Sequence, residues 1–199
     1  MTPLSPDDSQ RIFRAVLDAL ARPGTLGQLP SVPGYPAALL PLLALADPST
    51  PTCVLHDDDG GWPGTVRALT SAPVAALGEA RLVAALRPVT PGELAQVRTG
   101  TAAAPEEGAL VTLAVGSFPA GSGGSSPRAS TSPNGSPRLL TGPGIPGSRE
   151  LRAAGLPAGF AAARRRLTEA FPAGVDFLLV APDGTVAGLP RTTIMAEAA

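Results

Sequence analysis

No lysine occurs in the 199 residues; all fifteen basic side chains are arginine. Without a side-chain amine the chain cannot form a Schiff base, and it has no P-loop lysine to hold a β/γ-phosphate. Cys53 is the only cysteine, which excludes an internal disulfide and a thiolate-rich metal site. His56 is the only histidine, so no multi-histidine metal spacing can exist. Charge of either sign is scarce and nearly balanced, 15 basic against 16 acidic residues. That balance gives no electrostatic case for nucleic acid or an anionic membrane. The longest apolar stretch, 37–46, is broken by Pro41 and is far too short to cross a bilayer. The opening residues show neither a basic n-region nor an apolar h-region, and the expected location is the cytoplasm.

Glycine and proline, by contrast, are abundant, at 23 and 24 residues. Cys53 lies in the apolar run Thr52-Cys53-Val54-Leu55 and reads as a buried structural thiol. His56 stands at the end of that run, before three aspartates, where a solvated turn is expected rather than acid–base chemistry. The aspartate run lacks the glycine and distal glutamate of a calcium loop.

Ser5 caps a first helix, with Pro6 at its first position and Asp8 in its first turn. Phe13, Val16, Leu17 and Leu20 recur at helical spacing and predict its buried stripe, with Arg11, Arg14 and Asp18 opposite; Pro23-Gly24 ends it. Residues 36–46 predict a buried second helix, 52–56 a strand, 65–71 a short helix and 80–86 an extended segment. A helix over 91–97 follows, capped by Thr90, then a central strand at 109–115. Residues 117–137 hold glycine, serine and proline with almost no large apolar side chain, and are expected to form a long, disordered loop. A strand over 138–141, a helix over 157–170, a strand over 175–181, an Asp183-Gly184 turn and a strand over 185–189 complete the pattern. Alternating helices and strands predict one α/β domain with helices covering a sheet. The run Arg164-Arg165-Arg166 spreads over different faces of its helix and does not make a single anion clamp.

Generic catalytic motifs are absent: there is no dinucleotide fingerprint, P-loop or nucleophile elbow. Three local features remain as candidate anion or partner sites, one of them Phe171-Pro172-Ala173-Gly174-Val175-Asp176, whose Asp176 is either solvated at a strand edge or paired. After a strand ending at Thr141, Gly142-Pro143-Gly144-Ile145 either turns backbone N–H groups toward an anion or is a tight turn that needs glycine. Arg191, with Thr192 and Thr193 beside it, either binds a phosphate or carboxylate or pairs with Asp176, an acid near the start of a very apolar strand.

These stretches together resemble one family. The match is carried by Phe13-Arg14 through Ala21-Arg22-Pro23-Gly24; Thr99-Gly100-Thr101-Ala102 with Pro105-Glu106; Leu140-Thr141-Gly142-Pro143-Gly144-Ile145; and Phe171-Pro172-Ala173-Gly174-Val175-Asp176 with Leu189-Pro190-Arg191-Thr192-Thr193. Ser71-Ala72-Pro73 adds a weaker fifth. They resemble, in order and spacing, the PhnH subunit of bacterial carbon–phosphorus lyase; the 117–137 loop is longer than the family usually has.

The resemblance implies a three-layer α/β/α sandwich with a mixed sheet, similar to pyridoxal-phosphate-dependent transferases but without that cofactor. The missing lysine agrees, since no internal aldimine can form. It also implies a homodimer that joins the PhnG, PhnI and PhnJ subunits. That assembly makes ribose 1-methylphosphonate 5-triphosphate from ATP and methylphosphonate, then cleaves the carbon–phosphorus bond by iron–sulfur radical chemistry. One cysteine cannot ligate such a cluster, so the expectation is an accessory subunit with no cofactor and no catalytic residue of its own. The alternative is a stand-alone phosphate- or nucleotide-binding protein using Arg191 and the 142–145 turn.

Overall fold

Helix α1 (Pro6–Ala21) begins where its capping residues place it. The Ser5 hydroxyl accepts from the Asp8 N–H at 3.0 Å, and Asp7 and Asp8 put carboxylates at the positive end. The computed structural model describes residues 2–57, 61–119 and 136–197. After α1 come β1 (Gly27–Gln28), a 3-10 turn (Ala37–Leu39), α2 (Leu40–Leu45), β2 (Thr52–Leu55), α3 (Trp62–Thr70) and β3 (Leu82–Ala85). Then follow α4 (Pro91–Leu94), β4 (Leu110–Ala114), β5 (Arg138–Thr141), β6 (Arg149–Leu151), α5 (Phe160–Leu167), β7 (Asp176–Val180), β8 (Thr185–Leu189) and β9 (Ile194–Glu197).

The chain is an α/β fold on a mixed six-stranded sheet of order β1-β8-β7-β4-β3-β2. Strands β2, β3, β4 and β7 run parallel; β8 returns antiparallel through the Asp183-Gly184 turn, and β1 pairs antiparallel with β8. A second sheet, β6-β5-β9, is antiparallel. Alternation along the large sheet sorts its side chains. Val83, Val111, Phe177 and Leu179 face a core shared with Leu94, Phe160 and Leu140. Leu178, Val180 and Val186 face Ile12 and Val16 of α1, while Val54, Leu82 and Ala84 meet Leu42 of α2 and Trp62 of α3. The predicted 109–115 strand is central, between β3 and β7. Cys53 is buried, and that burial raises its thiol pKa, consistent with an inert structural side chain.

Several expectations need correction. The core stripe of α1 is Ile12, Val16 and Ala19; Phe13 and Leu17 are 49% and 55% exposed. The helix carries two overlapping apolar sets about 100° apart, between which periodicity alone does not choose. Contact with the sheet does. The helix expected over 91–97 is one turn, ending at Leu94, and the one expected over 157–170 is confined to Phe160–Leu167. Strands β1, β6 and β9 were not expected, being short and lacking apolar alternation. Most of the predicted 117–137 loop, residues 120–135, lies outside the described residues; Ser117 bridges to Ala154. Among the described residues no helix is long and apolar enough to cross a membrane.

The single turn α4 is held by side chains rather than length. Thr90 accepts from the Glu93 N–H, and the Glu93 carboxylate accepts from the Thr90 N–H and, at 2.6 Å, from Arg87. The Arg87 guanidinium, helped by the Thr90 N–H, holds the Glu93 carboxyl down at about 2 instead of 4.5. A depressed carboxyl contributes stability above its unfolded pKa and loses it as pH falls through the folded value. Glu93→Gln is therefore expected to flatten the stability profile between pH 4.5 and 2; urea melts across that window that match the parent protein would refute it.

Candidate functional site

The stretches singled out in the sequence meet around one guanidinium. Arg191 follows β8 and turns back over the start of β7. Its N–H donates to Asp176 Oδ1 at 2.6 Å, its Nε lies 3.3 and 3.2 Å from the two carboxylate oxygens, and its Nη2 lies 2.7 Å from Oδ2. Nη1 donates to the Pro105 carbonyl at 2.6 Å and to that of Pro172 at 3.4 Å. The pairing of Arg191 with Asp176, left open by the sequence, is formed. It stitches the 99–107 and 171–176 segments to the residues after β8.

Glycines make the rest of this junction possible. Gly174 donates to the Thr99 carbonyl at 2.7 Å, and Gly108 lies against the Gly174 carbonyl too closely for any side chain. Gly142, at φ 132°, lies against the Thr192 carbonyl, 2.8 Å from where its Cβ would stand. Gly144, at φ 80°, does the same to the Ala21 carbonyl at 2.5 Å, so the turn seats on the end of α1. The Ile145 N–H donates to Gly142 O at 3.1 Å within the turn. Thr141 pairs with Ile194 in the β5–β9 ladder. All six candidate residues (Arg191, Thr192, Thr141, Gly142, Gly144 and Asp176) thus lie in one neighbourhood. Their geometry shows close backbone approach at the glycines and a guanidinium already engaged at Arg191.

Beside this junction a cleft of about 450 Å³ opens between α5 and β9. Ala161, Arg164 and Arg165 along one face of α5, with Thr168 at its C-terminal cap, form one wall; Thr192, Ile194 and Met195 form the other. Phe171 and Ile194 stand at the cleft 63% and 66% exposed. Arg164 was not expected to matter, because a three-arginine run reads as a solvated face. Only Arg165 and Arg166 are exposed; Arg164 is 2% exposed. It donates to the Thr193 carbonyl at 2.7 Å and to that of Pro190 at 2.5 Å, pinning the turn that carries Arg191. Burial pulls its pKa down to about 10, opposed by the Asp176 carboxylate. No sequence signal marks this residue, since its buried contacts are with the 190–193 turn, which meets α5 only in the folded chain.

Among the described residues, no cluster of three histidine, cysteine, aspartate or glutamate side chains could hold a metal. His56 lies half-buried at the end of β2, away from the junction. A family model described as bacterial phosphonate metabolism protein (PhnH) matches residues 4–196. No curated protein matches the chain.

Proposed function

Because the chain belongs to the PhnH family of bacterial phosphonate metabolism proteins, we propose that it serves phosphonate breakdown as an accessory subunit of the carbon–phosphorus lyase core. In this reading it works beside PhnG, PhnI and PhnJ, as a homodimer in the cytoplasm. It supports the making of ribose 1-methylphosphonate 5-triphosphate without contributing a catalytic group. The wider likeness to a three-layer transferase fold without its cofactor belongs to the same reading.

One observation carries it: segments as far apart as Ala21 and Gly144 interlock through Arg191, Asp176, Gly142, Gly144 and Gly174, largely by backbone contacts. Such a junction sets the shape of a surface more than it arms a reaction. The anion or partner contacts of Arg191, Thr192, Thr141, Gly142, Gly144 and Asp176 would be made from that surface. Co-expression tests the proposal. A tagged chain should retain PhnG, PhnI and PhnJ through affinity and size-exclusion steps; a chain that elutes alone when all four are made together sinks it. The stand-alone phosphate-binding alternative must work with an Arg191 whose guanidinium already holds Asp176 and the Pro105 carbonyl.

A further inference from the structure

Charge is distributed unevenly among the clefts of the described residues. A groove of about 460 Å³ along α1 holds Arg11, Arg14 and Arg22, but Arg11 is paired with Asp8, and Arg22 with Asp18 at 3.0 Å. Open parallel sheets ordinarily take ligands beyond the carboxyl ends of their strands. There a pocket of about 280 Å³ is walled by apolar side chains and Tyr35, with no charged group. The α5–β9 cleft is different. Arg164, Arg165 and Arg191 line it, and no acidic side chain among the described residues does. Asp176 pairs with Arg191 from behind and attracts Arg164 without an ion-pair contact; Arg165 has no ion pair among the described residues.

A buried guanidinium that shares one carboxylate with a second guanidinium is incompletely compensated, which favours a further anion beside it. Arg164 Nε and Thr193 Oγ1, buried atoms of two residues that line the cleft, have no hydrogen-bond partner among the described residues, where such atoms are nearly always satisfied. Arg164 is held in place by two carbonyls, so its charge is preorganised. Arg165 and Thr192 are exposed beside it and free to reach a ligand directly. Phe171, Ile194 and Met195 add apolar surface to the same cleft.

We infer that this cleft binds an organic phosphonate or phosphate monoester, with the oxyanion on Arg165 and Thr192 above buried Arg164 and the substituent against Phe171 and Ile194. Three guanidinium groups against the single Asp176 carboxylate leave two positive charges, which suit a doubly charged head, and the apolar flank suits a carbon-bearing ester or phosphonate over the bare ion. The choice of phosphonate rests on the family reading. The test uses the isolated full chain, so its outcome is independent of co-purification.

Calorimetry with phenylphosphonate and, separately, inorganic phosphate supplies that test. Phenylphosphonate should bind about fivefold or more tighter than phosphate, the margin expected of apolar contact with one ring. Arg165→Ala should weaken both by about tenfold or more, the loss of a charge-assisted contact. Phe171→Ala should remove the preference for phenylphosphonate while leaving phosphate unchanged. Both substitutions are at exposed positions, so an unchanged melting temperature is expected and serves as the folding control. Absence of heat from either ligand at about 10 mM, a concentration that reveals even weak sites, overturns the assignment. So does binding that Arg165→Ala leaves intact. Equal affinity for the two ligands overturns the organic part of it.

Discussion

Arg191→Ala lowers the thermal midpoint by roughly 6–12 °C, the shift that about 3 kcal/mol produces in a chain of this size. The side chain bridges three segments: it binds the Asp176 carboxylate through Nε and Nη2 and reaches the Pro105 and Pro172 carbonyls through Nη1. Truncation strands that carboxylate at the first position of β7, where, among the described residues, only the residue-191 N–H still hydrogen-bonds to it. Both side chains are mostly buried, at 15% and 23% exposure, so water replaces the lost donors poorly. Arg191→Lys keeps the charge but not the planar fork, and is expected to recover only part of the loss. The double substitution with Asp176→Ala should cost less than the sum of the singles, because each alone leaves the other's partner unpaired. Differential scanning fluorimetry of the parent and these four variants reads this directly. A midpoint within about 2 °C of the parent for Arg191→Ala, the scale of ordinary surface changes, would mean that Arg191 serves a ligand and not the fold.

Gly188→Ala is expected to be as damaging, for a different reason. At Gly188 the backbone of α1 lies directly on β8. A Cβ there would overlap the Ala19 carbonyl and stand 2.8 Å from the Leu20 amide nitrogen, and neither is a flexible side chain that can swing aside. The helix is also tied down where the Gly24 N–H donates to the Gly188 carbonyl at 3.1 Å. Relief requires α1 to lift from the sheet, exposing Ile12 and Val16. The cost should be about 3 kcal/mol or more, at the upper end of overpacking effects. Two glycines calibrate the result. Gly27→Ala meets the Val186 side chain at 3.4 Å and its carbonyl at 3.9 Å, both ordinary contacts, and should change stability by less than about 1 kcal/mol. Gly64→Ala, inside α3 with open space around it, should gain about 0.5–1 kcal/mol. Chemical denaturation that ranks Gly188→Ala beside Gly27→Ala would show that α1 does not rest on β8 as described.

Much of the secondary structure was legible because its signals are local. Ser5 and Pro6 start α1, Thr90 starts α4, Asp183-Gly184 turns β7 into β8, and the apolar run at 109–115 lies in the middle of the sheet. These depend on capping, preset dihedrals and burial on both faces, all of which are written within a few residues. The short strands β6 and β9 carry no such signal. Only mutual pairing with β5 makes them strands, and pairing is not a property of either segment alone.

The site divides along the same line. By composition the sequence already removed whole classes of chemistry: no lysine for a Schiff base, one cysteine, one histidine. Its motifs named Arg191, Asp176 and the Gly142–Gly144 turn, although not which of two roles each would take. Tertiary structure settled the pairing of Arg191 with Asp176, because two residues fifteen positions apart come into register only when β8 returns along β7. It also chose Ile12 over Phe13 as the buried face of α1, since the sheet meets one side of a helix that is apolar on both. Finally, it turned Arg164 from one member of an ordinary basic run into a buried charge at the floor of a cleft. A side chain's solvation is set by what is laid over it, and the 190–193 turn meets Arg164 only in the folded chain.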